Sequence, residues 1–383
     1  RRLGATHPET LRSRIAHATA LYQSGDYGPA ESALRDVRAA ASASFAPDDV
    51  ERIRVDIGLG DVLAAVGKPD EAQRMFEAAL REATGARVDR RRERTYALAG
   101  LGLAHYYQGR LDDAQAAFEQ ARTLGESVLG ATHPKVLETI NNLASIAYQK
   151  GEYLQARALW DETLPRYRAV YGPEHAEVAI VLNNLGRVAL IERRFDDAIR
   201  WLDEALRLDR RYKGPRHDDL ILPLNSMGLA YLGLARVEDA RRSLDEALAI
   251  AREHEHWMVG VILTNVADLE ARSSATDAAE RHARAAREAL EAAFPLDKHK
   301  EEAWRYDLLA SIEGDIRSQR GRYADGEPGL VAGVERMAER FGERSLFAVD
   351  AMRRAAGHFA RTGDSRRAAA MKERLQRAES GSA

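Results

Sequence analysis

The 383-residue chain has no cysteine, which excludes disulfides, thiolate metal sites and cysteine nucleophiles together. Long apolar runs are absent too. None approaches the roughly 20 residues of a membrane-spanning helix, so no membrane insertion is expected. Charge of one sign is also lacking: 57 basic residues meet 60 acidic ones for a net charge of −3. Such a balance draws the chain neither to nucleic acid nor to an anionic membrane, and nucleic acid is not an expected partner. The motifs Gly-x-Ser-x-Gly, Gly-x-x-x-x-Gly-Lys-Ser/Thr and His-Glu-x-x-His do not occur, so no catalytic residue, cofactor or metal is assigned and the chain is read as a non-enzyme. There is no initiator methionine and no apolar leader before RRLGATHP, which begins inside a motif that returns later. A piece of a longer protein is expected on that ground. A cytoplasmic location fits the missing cysteines, and a periplasmic one stays open.

What remains is a foldable composition, 45% hydrophobic and 31% charged, carried by a repeat. Short turns GDYGPA, GKPDEA, GRLDDA and GEYLQA start at residues 25, 67, 109 and 151, a constant period of 42. RRFDDA at 193 and ARVEDA at 235 keep the phase without the glycine; SATDAA at 274 and GRYADG at 321 slip, and GDSRRA at 363 restores the spacing. A second marker, Gly-x-x-His, recurs in LGATHP at 3 and 129, VYGPEH at 170 and YKGPRH at 212. Glycine ends one helix there in a left-handed conformation, and Pro134 suits the first turn of the next because it has no amide hydrogen.

Between these marks the apolar period is helical: Leu137, Ile140, Leu143, Ile146 and Ala147, then Ala156, Leu159, Trp160 and Leu164. Each unit therefore reads as helix, tight turn, helix. Small residues Gly102, Ala144, Gly186 and Gly228 stand opposite Ala114, Ala156, Ala198 and Ala240, as close antiparallel packing requires. One hairpin cannot bury its apolar face alone, but nine stacked hairpins can. The expected fold is all-α: an α-solenoid of about eighteen helices forming a single domain over residues 1–383. Regular repeats run over 9–252, an irregular one over 253–300 and atypical C-terminal repeats or a cap over 301–378, with a disordered tail at 379–383.

The small residue in the first helix, the turn, the alanine twelve residues on and a large residue four further (Phe76, Phe118, Trp160) resemble the tetratricopeptide repeat. The 42-residue period, the Asn-Asn-Leu of the first helix and the Gly-x-x-His connector are similar to its kinesin-light-chain-like subclass, common in bacterial proteins. Units eight and nine depart from the pattern at Gly326, Gly333 and Lys372. The resemblance implies a right-handed superhelix whose first helices line a concave groove, with a protein or peptide segment as partner. Carried onto this sequence, the groove phase falls on Asn141, Asn142, Ser145 and Tyr148, then Asn183, Asn184 and Arg187, then Asn225 and Ser226, then Thr264, Asn265 and Asp268. Tyr96, Tyr106 and Tyr107 precede them in unit three.

An asparagine amide has one acceptor and two donors, so it can hold a peptide backbone without demanding a side chain, while tyrosines supply anchoring area. The same asparagines can instead bond between adjacent repeats, and both roles stay open. His7, His133, His175 and His217 are read as caps or packing residues because successive connectors lie too far apart to share a metal ion. His254 and His256 likewise suggest no metal site. The run ARVDRRRER at 86–94 is either an acid-binding patch or a solvated face. Three functional readings follow: a non-catalytic peptide-binding scaffold; the sensory or scaffolding C-terminal arm of a larger signalling enzyme such as a bacterial Ser/Thr kinase; and self-association through Leu330, Val331, Val334, Phe341, Leu346 and Phe347.

Overall fold

The computed structural model describes residues 4–46 and 49–380; the start RR and Leu3 and the end of the expected tail, 381–383, lie outside them. Among the described residues the regular structure is entirely helical, eighteen α-helices forming nine hairpins. The first four pairs are α1 (Pro8–Gln23) and α2 (Tyr27–Ser44), α3 (Val50–Ala65) and α4 (Pro69–Gly85), α5 (Arg91–Tyr107) and α6 (Leu111–Val128), and α7 (Pro134–Gln149) and α8 (Tyr153–Tyr171). Then come α9 (Ala176–Ile191) and α10 (Phe195–Lys213), α11 (Ile221–Gly233) and α12 (Val237–Glu253), and α13 (Val259–Arg272) and α14 (Thr276–Ala293). The last pairs are α15 (Ala303–Gln319) and α16 (Tyr323–Phe341), and α17 (Leu346–Arg361) and α18 (Ser365–Ser380). No described helix is long and apolar enough to cross a membrane.

The chain divides into two compact units between Val170 and Tyr171. Cohesion in a repeat array is between nearest neighbours, so compactness is local and an array can divide without any break in its period. Of the expected tail, Glu379 and Ser380 are helical. Glu379 belongs to α18 and pairs with Arg193 and Arg353.

Every hairpin turns at one left-handed residue: Gly25, Gly67, Gly109, Gly151, Arg193, Ala235, Ser274, Gly321 and Gly363. The following amide closes the turn onto a carbonyl five residues back, at 2.8 Å both for Glu152 onto Ala147 after a glycine and for Arg194 onto Ala189 without one. The turn is thus dictated by the helix ends, and Ala235 adopts a φ of 57° at a cost. Ala235→Gly is expected to stabilise the chain by about 1 kcal/mol, read as a higher urea midpoint at unchanged slope. An unchanged or lower midpoint contradicts this.

The connectors use histidine as the N-cap. Nδ1 of His7, His133, His175 and His217 accepts the amide of the second residue beyond it, at 3.1–3.2 Å. His256 does the same for Met258 at 3.2 Å. Only a neutral imidazole can accept there. Burial first, then Arg92 and Lys135, holds the His133 ring below its ordinary value. Its share of stability is therefore fully present above the ordinary value of about 6.5 and is lost as pH falls through the lowered folded value. His133→Asn keeps an accepting oxygen, and the variant is expected to gain about 1 kcal/mol over the parent between pH 7.5 and pH 5. A pH-independent difference in urea unfolding rules this out.

Packing follows the small-residue rule. A Cβ at Gly186 would lie 2.6 Å from Leu202, and one at Gly228 2.7 Å from Leu244. In the atypical eighth hairpin the pair becomes Gly314 and Gly326, and a Cβ on Gly326 would meet the Gly314 carbonyl oxygen at 2.4 Å. Most of the apolar residues that suggested self-association pack within the last repeats. Leu330, Val334 and Leu346 are buried, and Phe341 and Phe347 pack with Trp304 at ring distances of 5.1 and 6.1 Å and with each other at 4.8 Å; Val331 stays exposed.

Candidate functional site

In the first unit the groove residues sit on α5 and α7. The two asparagines of α7 point to different tasks. Asn141 Oδ1 accepts the indole Nε1–H of Trp160 at 2.9 Å, and Trp160 is the large side chain that fills the hairpin. A buried indole needs an acceptor, which accounts for Asn141. Asn142, one residue on, is partly exposed, and its amide makes no hydrogen bond among the described residues. Ser145 Oγ returns to the Asn141 carbonyl at 3.0 Å. Tyr148 packs against Tyr153 and Trp160 with ring distances of 5.4 and 6.3 Å. Tyr106 and Tyr107 meet edge to face at 5.8 Å, the Tyr106 hydroxyl accepts from Gln149, and Tyr107 is 55% exposed.

In the second unit the column behaves differently. Asn183, Asn184 and Arg187 on α9 are partly exposed. Asn225, Ser226, Thr264, Asn265 and Asp268 are all buried, and Asn265 Nδ2 donates to Asn225 Oδ1 at 2.8 Å, linking α13 to α11. The cavity beside Asn265, about 20 Å³ and bounded by Val261, Thr264 and Trp304, has room for one water and not for a chain. These side chains are removed from ligand contact by burial. The reason lies further along the chain. Arg354 of α17 reaches past α15 to Asp268 Oδ1 at 2.9 Å and also donates to Ser311 Oγ at 3.2 Å, while Arg272 pairs with both Asp268 and Asp350 at 2.7 Å. Burial pushes the Asp268 carboxyl up, but Arg272 and Arg354 outweigh it and hold it below its usual range. From α11 onward the first helices of this unit are tied together by their own polar groups.

Among the described residues one connector histidine stands in a group able to hold an ion. His217, Asp218 and Asp219 could approach one ion, yet His217 Nδ1 is the cap acceptor for the Asp219 amide. In the 86–94 run Arg91 clasps Asp89 at 2.8 Å, which takes the Asp89 carboxyl down to about 2, and Arg87 and Arg92 face solvent.

Counting groove positions from the asparagines overlooks a cluster on the first helices of the first unit. Tyr22 on α1 occupies the Tyr148 phase, three repeats earlier, and Asp61 on α3 the Ser145 phase, two repeats earlier. Asp61 is partly buried, and burial pushes its carboxyl up to about 6 against the pull of Lys135. Lys135 at the start of α7 pairs with Glu138 at 2.7 Å and lies 5.7 Å from the centre of the Tyr96 ring. The signal was in the phase, not in the residue type.

With this geometry in place, comparison with known proteins gives the following. A family model described as Tetratricopeptide repeat matches residues 49–127, 93–146, 135–193 and 183–253, together more than half of the chain. No curated protein matches. BtubC (BKLC) from P. vanneervenii is 22% identical over 64% of this chain and 92% of its own, with a TM-score of 0.50. A Rap protein solved with competence and sporulation factor is 12% identical over 98% of both chains, TM-score 0.67. The Rap conjugation gene regulator of plasmid pLS20, solved with the Phr* peptide, is 16% identical over 74% of both chains, TM-score 0.51. At these identities the likeness is one of fold.

Proposed function

The chain belongs to the tetratricopeptide repeat family, and from that premise we propose that it is a non-catalytic scaffold holding an extended peptide or partner segment on the inner face of its first unit. The single observation that carries this is the division of labour in Asn141 and Asn142: one amide serves Trp160, the other is left unbonded on the inner face. Tyr106 and Tyr148 share one phase at the ends of α5 and α7, Tyr107 packs edge to face on Tyr106, and the three supply area for a bound chain at low entropic cost. Asn183, Asn184 and Arg187 hold corresponding phases in the second unit, considered by itself, and are partly exposed. Support of a general kind comes from the Rap regulator of pLS20 and the Rap protein named above, whose shared fold accommodates a peptide and a factor respectively.

The test is to pan a displayed library of random 12-residue peptides against the full chain. Enriched peptides are expected to lose about tenfold or more in affinity, roughly 1.4 kcal/mol, when Asn142→Ala and Tyr107→Ala are combined, with far-ultraviolet circular dichroism unchanged. Failure to enrich any peptide, or indifference of enriched peptides to the double variant, overturns the reading.

A further inference from the structure

We propose that the second unit carries, between its seventh and eighth hairpins, a site for a phosphate monoester built from Arg284 and Arg287 of α14, Arg317 of α15 and Arg322 just before α16. It is independent of the peptide groove in the first unit.

The site is a hollow of about 190 Å³ between α14 and α15. That is more than ten times the roughly 10–15 Å³ one water needs, so it admits a group of several atoms. Residues 280, 284 and 287 follow at helical spacing along one face of α14, and 313 and 317 do the same on α15. Arg322, in the turn after α15, stands at the Glu280 end, and the buried Ala283 and Ile316 supply the apolar part of the lining.

The repeat does not ask for these charges. Arg284 lies five residues beyond the second-helix alanine, where α4, α6, α8, α10 and α12 carry Glu77, Glu119, Asp161, Asp203 and Asp245. Glu313 lies eight residues before the left-handed turn residue, where α9, α11 and α13 carry Leu185, Met227 and Val266. A hollow of the same volume between α2 and α3 shares the two arginines of the second helix, as Arg35 and Arg38, but presents Leu59 and Leu63 in place of Glu313 and Arg317. Arg35 is moreover held by Glu31 at 2.8 Å and by Glu71 at 2.7 Å. The polar lining with an unengaged arginine is therefore particular to α14 and α15.

The charge balance selects the ligand. Four guanidiniums and two carboxylates line the hollow, a surplus of two positive charges. Glu313 is held by Arg287 at 2.8 Å and by Arg317 at 3.3 Å. Glu280 is held by Arg322 at 3.0 Å and, from outside the hollow, by Arg320 at 2.5 Å. Both carboxylates thus act as anchors that fix the guanidinium planes. Each guanidinium has five N–H groups. Arg287 commits two of them here and Arg317 and Arg322 one each, while Arg284 is exposed and makes no hydrogen bond or ion pair among the described residues. A phosphate monoester brings close to two negative charges and three strong acceptor oxygens, which match both the surplus charge and the remaining donors. A carboxylate supplies half that charge, and a cation would be repelled. A free small phosphate and a phosphorylated side chain present the same group.

The test titrates the full chain at pH 7.5 and fixed ionic strength with inorganic phosphate and, separately, with acetyl-Ala-phosphoSer-Ala-amide, followed by NMR of the arginine Nε–H groups. Acetyl-Ala-Ser-Ala-amide and acetyl-Ala-Glu-Ala-amide are the controls. Saturable shifts at Arg284, Arg287, Arg317 and Arg322 are expected with both phosphate probes. A phosphopeptide at least tenfold tighter than phosphate assigns the site to a phosphorylated side chain, and equal affinities assign it to a free phosphate. Arg284→Asp, which restores the acid of the other second helices at an exposed position, is expected to weaken binding about tenfold or more with far-ultraviolet circular dichroism unchanged. Arg287→Leu, which installs the residue found at this phase in α10 and α12 as Leu206 and Leu248, should do the same while Arg317 still holds Glu313. No saturable response to either phosphate probe, a glutamate peptide as strong as the phosphopeptide, or undiminished binding in either variant overturns the proposal.

Discussion

Asp268→Ala is expected to destabilise the second unit by about 3–5 kcal/mol, the largest single effect outside the apolar core. Asp268 is the carboxylate that Arg354 reaches across α15, and both side chains are less than a tenth exposed. Without it the buried Arg354 guanidinium retains only the Ser311 hydroxyl at 3.2 Å, an uncompensated charge in a low-dielectric site. Arg272 suffers less because Asp350 still holds it at 2.7 Å. The loss should be local: amide hydrogen exchange in α13 and α17 accelerates while α1 to α7 are unchanged, as nearest-neighbour cohesion demands. Replacing both members, Asp268→Leu with Arg354→Leu, should recover much of the loss because no charge is then left buried. If the double variant is as unstable as the single one, packing and not charge is what matters there. The acid behaviour is distinct from that of the histidine caps. Asp268 has a lowered carboxyl, so its contribution is complete above the ordinary carboxylate value and disappears only as pH falls through the lowered one. Between pH 7 and pH 5 it should not change.

The second large effect runs against the repeat pattern. Gly326 stands where most units have alanine, and Gly326→Ala therefore restores the family residue. It is nevertheless expected to cost about 1–3 kcal/mol. The added Cβ would lie 2.4 Å from the Gly314 carbonyl oxygen, and backbone cannot swing aside as a side chain can. Gly329, whose Cβ would meet the Ala310 carbonyl oxygen at 2.5 Å, and Gly333, against Ser311 at 2.6 Å, extend the same close approach along α15 and α16. Thermal unfolding of the variant should show a lower midpoint with α15 and α16 exchanging faster. A neutral or stabilising outcome means that the two helices can part cheaply. The seeming decay of the repeat in unit eight is therefore a closer variety of the same packing.

The fold was almost wholly legible because its signals are local. A left-handed residue at nine turn positions, a cap at the start of first helices and a small residue against the next helix each depend on a few neighbouring residues, so their period survives in the sequence. Turns at Arg193 and Ala235 were found by phase even without glycine, and the one at Ser274 although its spacing slips. The candidate site was legible only as a set of positions. Asn141, Asn142, Asn225 and Asn265 share a residue type, yet one serves a tryptophan, one is unbonded and two bond each other. Periodicity says which side of a helix a residue takes, not what waits opposite it.

Sequence alone thus determined the repeat, its helices, its turns and caps, and the want of any catalytic motif, since each arises from interactions within one hairpin or between neighbours. Tertiary structure decided which inner positions remain open. Small rotations from repeat to repeat accumulate, and their sum sets whether α17 comes within reach of α13. That sum depends on many packing contacts at once. No single residue encodes it, so the buried pairing of Asn225 and Asn265 became visible only when the repeats were stacked.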